Sequence, residues 1–199
     1  MILALIREME SLYGEIDRQV AAFQLATGLR CRPGCGHCCP GAPVQATVVE
    51  MLPAAAALIR ARLADPWLDR LGGAGETCAG FSTRRVAPGA GHCTLYSHRP
   101  AVCRLFGFAA RQDRRGRREL SICRIIKADL PEAVAHAVRG LDQQMPVPCL
   151  TAYQARIFGL EPGARLMPIN QALGRALQRC GLALTLEESS TPLDLPRAG

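Results

Sequence analysis

Four cysteines fall within nine residues, Cys31, Cys35, Cys38 and Cys39 in the stretch "CRPGCGHCCP", and no other feature limits the fold of this chain so strongly. At 199 residues the chain is long enough to bury a hydrophobic core without cross-links. The thiols are therefore not needed as staples. Thiolates bind zinc, iron–sulfur clusters and copper(I), and four of them complete one tetrahedral site or one cluster. Cys31, Cys35 and Cys38 follow at intervals of four and three, so within a helical turn all three point the same way. Cys39 is different, because adjacent side chains diverge on either a helical or an extended backbone. The pair Cys38-Cys39 then serves two neighbouring centres, or one of the two is held in reserve.

Downstream, Cys78, Cys93, Cys103 and Cys123 bring the count to eight, the number for two four-thiolate sites, with His37 and His92 as possible substitutes. Cys149 and Cys180 are read as ordinary buried thiols outside the set. The N-terminal "MILALIREMES" has only a five-residue apolar run before Arg7, too short for a secretory leader, and the expectation is a cytoplasmic protein. In a reducing compartment closely spaced cysteines are metal ligands or redox groups more often than disulfides. No apolar run approaches the ~20 residues of a membrane span, so no membrane association is expected. The net charge of +7 invites a nucleic-acid reading. Yet all 24 cationic side chains except Lys127 are arginine, a bias that genome composition explains, and with 5% aromatics there are few rings for bases to stack on. Nucleic acid is set aside as a partner.

The periodicity places an amphipathic helix over 2–25, with Ile2, Leu5, Met9, Leu12, Ile16, Val20 and Phe23 on one face. Gly28 is its stop, so the helix delivers the chain directly into the cysteine group. Thr47 and Glu50 form a capping-box pattern ahead of an alanine-rich helix that ends before Pro66 and is kinked or restarted at Pro53. Glycine and proline density predicts irregular loops from "LGGAGETCAG" to "RRVAPGAGHC", holding Cys78 and Cys93. Pro100 opens a short helix with Cys103 in its first turn, where the positive end of the helix favours a thiolate. Residues 104–125 read as a hairpin about Asp113–Gly116, with Cys123 on the returning strand. Further helices are predicted at 131–144 and about 167–179, with Cys180 at the end of the latter and a poorly ordered tail from Glu187. The chain is read as one mainly α-helical, irregular domain over 1–199. It has an N-terminal helix (1–28), a loop-rich cysteine module with one short β-hairpin (29–126), C-terminal helices (127–186) and a tail (187–199).

"CRPGCGHCC", then "CAGF", "CTLYSHRPAVCRLFGF" and "SICR" in that order, resemble the YkgJ-like cysteine-cluster family, of the CxxCxxCC type and named for zinc or iron chelation. The resemblance covers Cys31 to Cys123. It implies metal ligation by Cys31, Cys35, Cys38, Cys39, Cys78, Cys93, Cys103 and Cys123. The module is also distantly similar to that of the flagellin lysine N-methylases, which carry an iron–sulfur cluster and act with S-adenosylmethionine. That similarity implies an iron–sulfur centre, 4Fe-4S ahead of zinc, and a modifying enzyme of protein or peptide substrates. The alternative is a non-catalytic protein in which zinc is a structural clasp or cargo.

This chain departs from the methylases in being short and in lacking a cofactor motif. "LGGAG" is glycine-rich without the strand-then-helix context of a phosphate loop. Cys31, Cys35 and Cys38 also match the three-cysteine spacing of radical S-adenosylmethionine enzymes, but the long series of strand–helix units which that fold needs is missing. Arg99 and Arg104 are read as structural rather than anion-binding, and the run Arg111, Arg114, Arg115, Arg117, Arg118 as a solvated hairpin tip. His98 and His136 carry no ligand spacing. No carboxylate pair or serine–histidine arrangement points to hydrolysis.

Overall fold

A computed structural model of the chain describes residues 2–32, 34–39, 44–82 and 92–189, with side chains of the last helix through Ala183. The expected tail lies outside the described residues from 190 onward. The first helix, α1 (Ile2–Thr27), buries Ile2, Ile6, Met9, Leu12, Tyr13, Ile16 and Phe23, the three-and-four spacing of one helical face. Gly28 ends it at φ +74, a left-handed conformation that costs a glycine little, and its N–H closes onto Gln24 at 2.9 Å. Leu29, 1% exposed, then sinks into a small core with Phe23, Phe108, Ile126 and Ala137. That burial contributes about 1.5–3 kcal/mol and fixes where the cysteine loop starts.

The second helix, α2 (Val48–Arg60), begins with the predicted capping box. The Thr47 hydroxyl accepts from the Glu50 N–H at 3.3 Å, and the Glu50 carboxylate accepts the Thr47 N–H at 2.8 Å. It runs through Pro53 as one helix and stops at Arg60 rather than just before Pro66, with Arg62 at φ 57. A helix then occupies a stretch read partly as loop: α3 (Ala64–Gly73), which buries Trp67. Pro66 lies in its first turn, where no backbone donor is needed, so a proline that seemed to forbid a helix fits its start.

After a 3-10 turn at Tyr96–His98 comes α4 (Ala101–Leu105), with Pro100 as its cap. The hairpin β2 (Ala109–Gln112) and β3 (Arg118–Ser121) pairs Ala109 with Ser121 and Gln112 with Arg118. The Asp113 carboxylate accepts the Arg115 and Arg117 N–H groups at the exposed turn. Three helices follow: α5 (Arg124–Asp129), α6 (Pro131–Asp142), opened by its proline as expected, and α7 (Leu150–Leu160), which the sequence reading missed. The last, α8 (Ile169–Ser189), is longer than expected. Between them β1 (Gln45–Ala46) and β4 (Met167–Pro168) make a second two-residue antiparallel pair, also unexpected.

The larger core joins α1, α2, α4, α7 and α8 through Met9, Ile16, Val49, Leu52, Leu105, Ile157 and Leu173. α2 packs most extensively on α8. The architecture is therefore mainly helical, with two short strand pairs and loops carrying the thiols. No described helix is long and apolar enough to cross a membrane.

Candidate metal centre

Each thiol of the predicted set is presented by a loop or a helix end that something else holds down. The cysteine loop after α1 folds in two successive turns, Cys35 N–H to Arg32 carbonyl and Cys39 N–H to Gly36 carbonyl, both 3.1 Å. Arg32 pairs through Nε and Nη2 with Asp129 at the end of α5. The other side of the loop presses on the segment that carries Cys93: a Cβ at Gly36 would stand 2.7 Å from the His92 Cβ. Gly36 is there because nothing larger fits.

Cys78 and Cys93 flank a small bridged loop. Phe81 pairs with Cys93, and the Thr94 N–H reaches the Gly80 carbonyl at 2.7 Å. Where a Cβ of Gly80 would lie, the Cys78 Sγ is 3.5 Å away and the Cys93 Sγ 3.7 Å. Asn170, at the start of α8, ties this loop to the core by accepting the Ala79 N–H at 2.9 Å and donating to the Thr77 carbonyl at 2.8 Å. Nothing in the sequence flagged Asn170, since its partners are more than ninety residues away.

Cys103 lies in the first turn of α4, and the next residue anchors that turn. Arg104 is buried, pairs with Asp17 of α1, donates to the Arg99 and Ser97 carbonyls at 2.7 and 2.5 Å, and lies 4.4 Å from the Tyr13 ring centre. Arg99 stacks on Tyr96 at 3.6 Å. The structural reading of Arg104 holds. Cys123 is not on the returning strand: β3 ends at Ser121 and Cys123 caps α5, its carbonyl accepting the Lys127 N–H at 3.0 Å. The chain turns there because Ile126 must reach the smaller core.

All ten cysteines are free, and the electrostatics sort eight of them into one neighbourhood. Cys31 interacts with Cys35, Cys38 and Cys123. Cys39 interacts with Cys38, Cys93 and Cys78, and Cys103 with Cys78, Cys93 and Cys38. Cys38 is common to both groups. The hydrogen bond from Cys39 pulls the Cys38 thiol down to about 6, with Arg99 adding to the effect, while the same contact pushes Cys39 up. Partial burial and the nearness of Cys35 push Cys31 up to about 11.

Burial, then Cys78 and Cys93, push the Cys103 thiol up, which overturns the expectation of a favoured thiolate. Desolvation outweighs the end of a helix only five residues long. Cys180 is buried in the middle of α8, not at a helix end, donating weakly to the Leu52 carbonyl at 3.8 Å. Cys149, expected to be buried, is instead partly exposed because it caps α7 at the surface, 3.1 Å from the Thr151 hydroxyl. Neither belongs to the neighbourhood.

A cavity of about 720 Å³ opens beside the thiols, with Cys35, Cys38, Cys39, Cys93, Cys103 and Cys123 on its wall. His37 and His92 also line it, the His92 Nδ1 held at 2.9 Å by the Ser82 carbonyl. The remaining wall comes from α7 and from residues such as Phe106 and Ile125. The spacing of Leu150, Tyr153 and Ile157, all buried, was the signal that would have revealed α7.

Among the described residues no three His, Cys, Asp or Glu donors are already drawn together tightly enough to hold an ion. The donor set nevertheless suits a thiophilic metal. It is sulfur-rich and unoxidised, and neighbouring thiols oppose one another's ionisation, a cost that a bound cation offsets. Residues 30–124, a little under half of the chain, match the model of the CxxCxxCC family, described as a putative zinc- or iron-chelating domain. No curated protein and no solved structure matches.

Proposed function

We propose, from the match of residues 30–124 to the CxxCxxCC model, that Cys31, Cys35, Cys38, Cys39, Cys78, Cys93, Cys103 and Cys123 supply the ligands of a metal centre that serves the adjoining cavity. The observation that carries this reading is the presence of six of these thiols in the lining of one cavity. Cys38 and Cys39 belong to two adjacent thiol groups, one with Cys31, Cys35 and Cys123 and one with Cys78, Cys93 and Cys103. An iron–sulfur centre, 4Fe-4S, stands ahead of zinc because of the resemblance to the methylase module. Bound, such a centre supplies an electron-transfer or Lewis-acid group beside the cavity.

The cavity favours an enzyme over a clasp, since a structural site needs no space beside it. The class is a modifying enzyme of protein or peptide substrates, in the cytoplasm. This chain's own residues shape the site: Arg104 fixes the turn that carries Cys103, and Arg32 fixes the cysteine loop.

The test is metal and acid-labile sulfide analysis of anaerobically purified protein, with Cys31→Ser, Cys35→Ser, Cys38→Ser, Cys149→Ser and Cys180→Ser beside the parent. Iron and sulfide in the parent, lowered by the first three substitutions and untouched by the last two, is the expected result. Colourless protein that contains zinc and no sulfide sinks the iron–sulfur choice. Equal metal across all five variants sinks the ligand set.

A further inference from the structure

Besides the thiols the lining of the cavity includes the apolar side chains Val102, Phe106, Ile125, Ile157 and Phe158. At 46% and 42% exposure, Phe106 and Leu166 bring apolar surface to its mouth. Two cations break this lining, Arg111 on β2 and Arg124 on α5. Both residues are exposed, and neither side chain has a hydrogen bond or ion pair with any described residue, although Glu119 stands opposite Arg111 across the hairpin. Arg32, Arg104, Arg117, Arg156 and Arg179 each pair with a carboxylate. Arg99, also on the wall, is taken up by the Tyr96 ring and carbonyl.

Among the described lining residues Glu50 is the one carboxylate, and it already accepts from the Thr47 N–H, the Thr47 hydroxyl and the Ala101 N–H. Apart from the thiols, the described lining thus offers two exposed cations and no unpaired carboxylate. The cavity volume of about 720 Å³ falls within the range of sites for small ligands, so a small co-substrate can sit here beside a protein or peptide substrate.

We propose that this cavity binds a small organic anion with a substantial apolar body, its acidic group held by Arg111 and Arg124 and its body against Phe106, Ile125 and Phe158. The proposal rests on the reading that the metal centre serves a bound ligand, and it names the chemical class of that ligand. A guanidinium forms two parallel hydrogen bonds to a planar carboxylate, so two unpaired arginines at one apolar site select for an acid over its neutral analogue.

The experiment is fluorescence titration of the full-length, metal-loaded protein with two probes of closely similar body. One is 1-anilinonaphthalene-8-sulfonate and the other N-phenyl-1-naphthylamine, which lacks the anionic group. One-site binding of the sulfonate about tenfold tighter than the neutral amine is expected, the scale of one charge-assisted contact. Arg111→Gln and Arg124→Gln are each expected to weaken the sulfonate about threefold or more and to leave the amine unchanged, whereas Phe158→Ser weakens both. Equal affinity for the two probes, or sulfonate binding indifferent to both arginine substitutions, overturns the proposal.

Metal analysis of the same samples separates this proposal from the metal reading. Metal-replete protein that fails to discriminate the probes overturns the proposal and leaves the centre standing. Metal-free protein with arginine-dependent sulfonate binding supports the cavity and overturns the centre.

Discussion

Arg104 concentrates more of the site's architecture in one side chain than any cysteine does. Its guanidinium joins α1, through Asp17 and Tyr13, to the two carbonyls of the turn ahead of Cys103. Arg104→Met keeps most of the volume but leaves the Ser97 and Arg99 carbonyls without their donor. It is expected to lower stability by about 2–4 kcal/mol, read as the urea midpoint, and an unchanged midpoint would show the network to be idle.

The Arg156 pair with Glu15 is exposed and worth much less. The hydrogen bond from Arg156, with one from Tyr153, holds the Glu15 carboxyl below its ordinary value. A depressed carboxyl stabilises fully above its unfolded pKa, and the gain is lost as pH falls through the folded one. Arg156→Gln is therefore expected to cost a few tenths of a kcal/mol at pH 7 and nothing once Glu15 is protonated in the parent. Paired melts at pH 7 and pH 3 check this, and an equal difference at both refutes it. Arg104 was legible as structural, but its partners, Asp17, Tyr13 and the Ser97 and Arg99 carbonyls, were not. Cys103 was misread because helix-end position is visible in sequence and desolvation is not.

Loops rather than helices bring the thiols together, and the tightest point between them is Gly36 against Phe81 and His92. Gly36→Ala places a methyl where the His92 Cβ already stands, so the loop carrying Cys35, Cys38 and Cys39 must move off the one carrying Cys93. Metal content is expected to fall while the far-UV helical signal is kept; full metal loading in Gly36→Ala would mean that this contact does not position the ligands. α1 and α6 were readable because a long apolar stripe and a proline start are local signals. α3 and α5 were not. The first holds a proline in its opening turn and two glycines in its last, and the second has only six residues. Such helices exist because Trp67 and Ile126 have cores to fill, a tertiary cause.

Across the molecule the thiol region borders the main core, with Cys78 and Leu95 packed against its edge, rather than forming it. The core of α1, α2 and α8 closes on aliphatic side chains, with Cys180 its one fully buried thiol. Stripping the metal with a chelator under reducing conditions is thus expected to retain most of the helical signal and a cooperative unfolding transition at a lower midpoint. Loss of the helical signal would make the metal, not the core, the source of the fold.

What the sequence determined by itself was the mainly helical class, because apolar periodicity and proline starts are signals within a few residues. The tertiary structure alone decided that Cys38 stands between two thiol groups, that α7 and the α5 segment line a cavity beside them, and that the Arg111 and Arg124 side chains have no partner there among the described residues. Those outcomes depend on which distant surfaces meet when α1, α7 and α8 bury their apolar faces, and no local pattern encodes that.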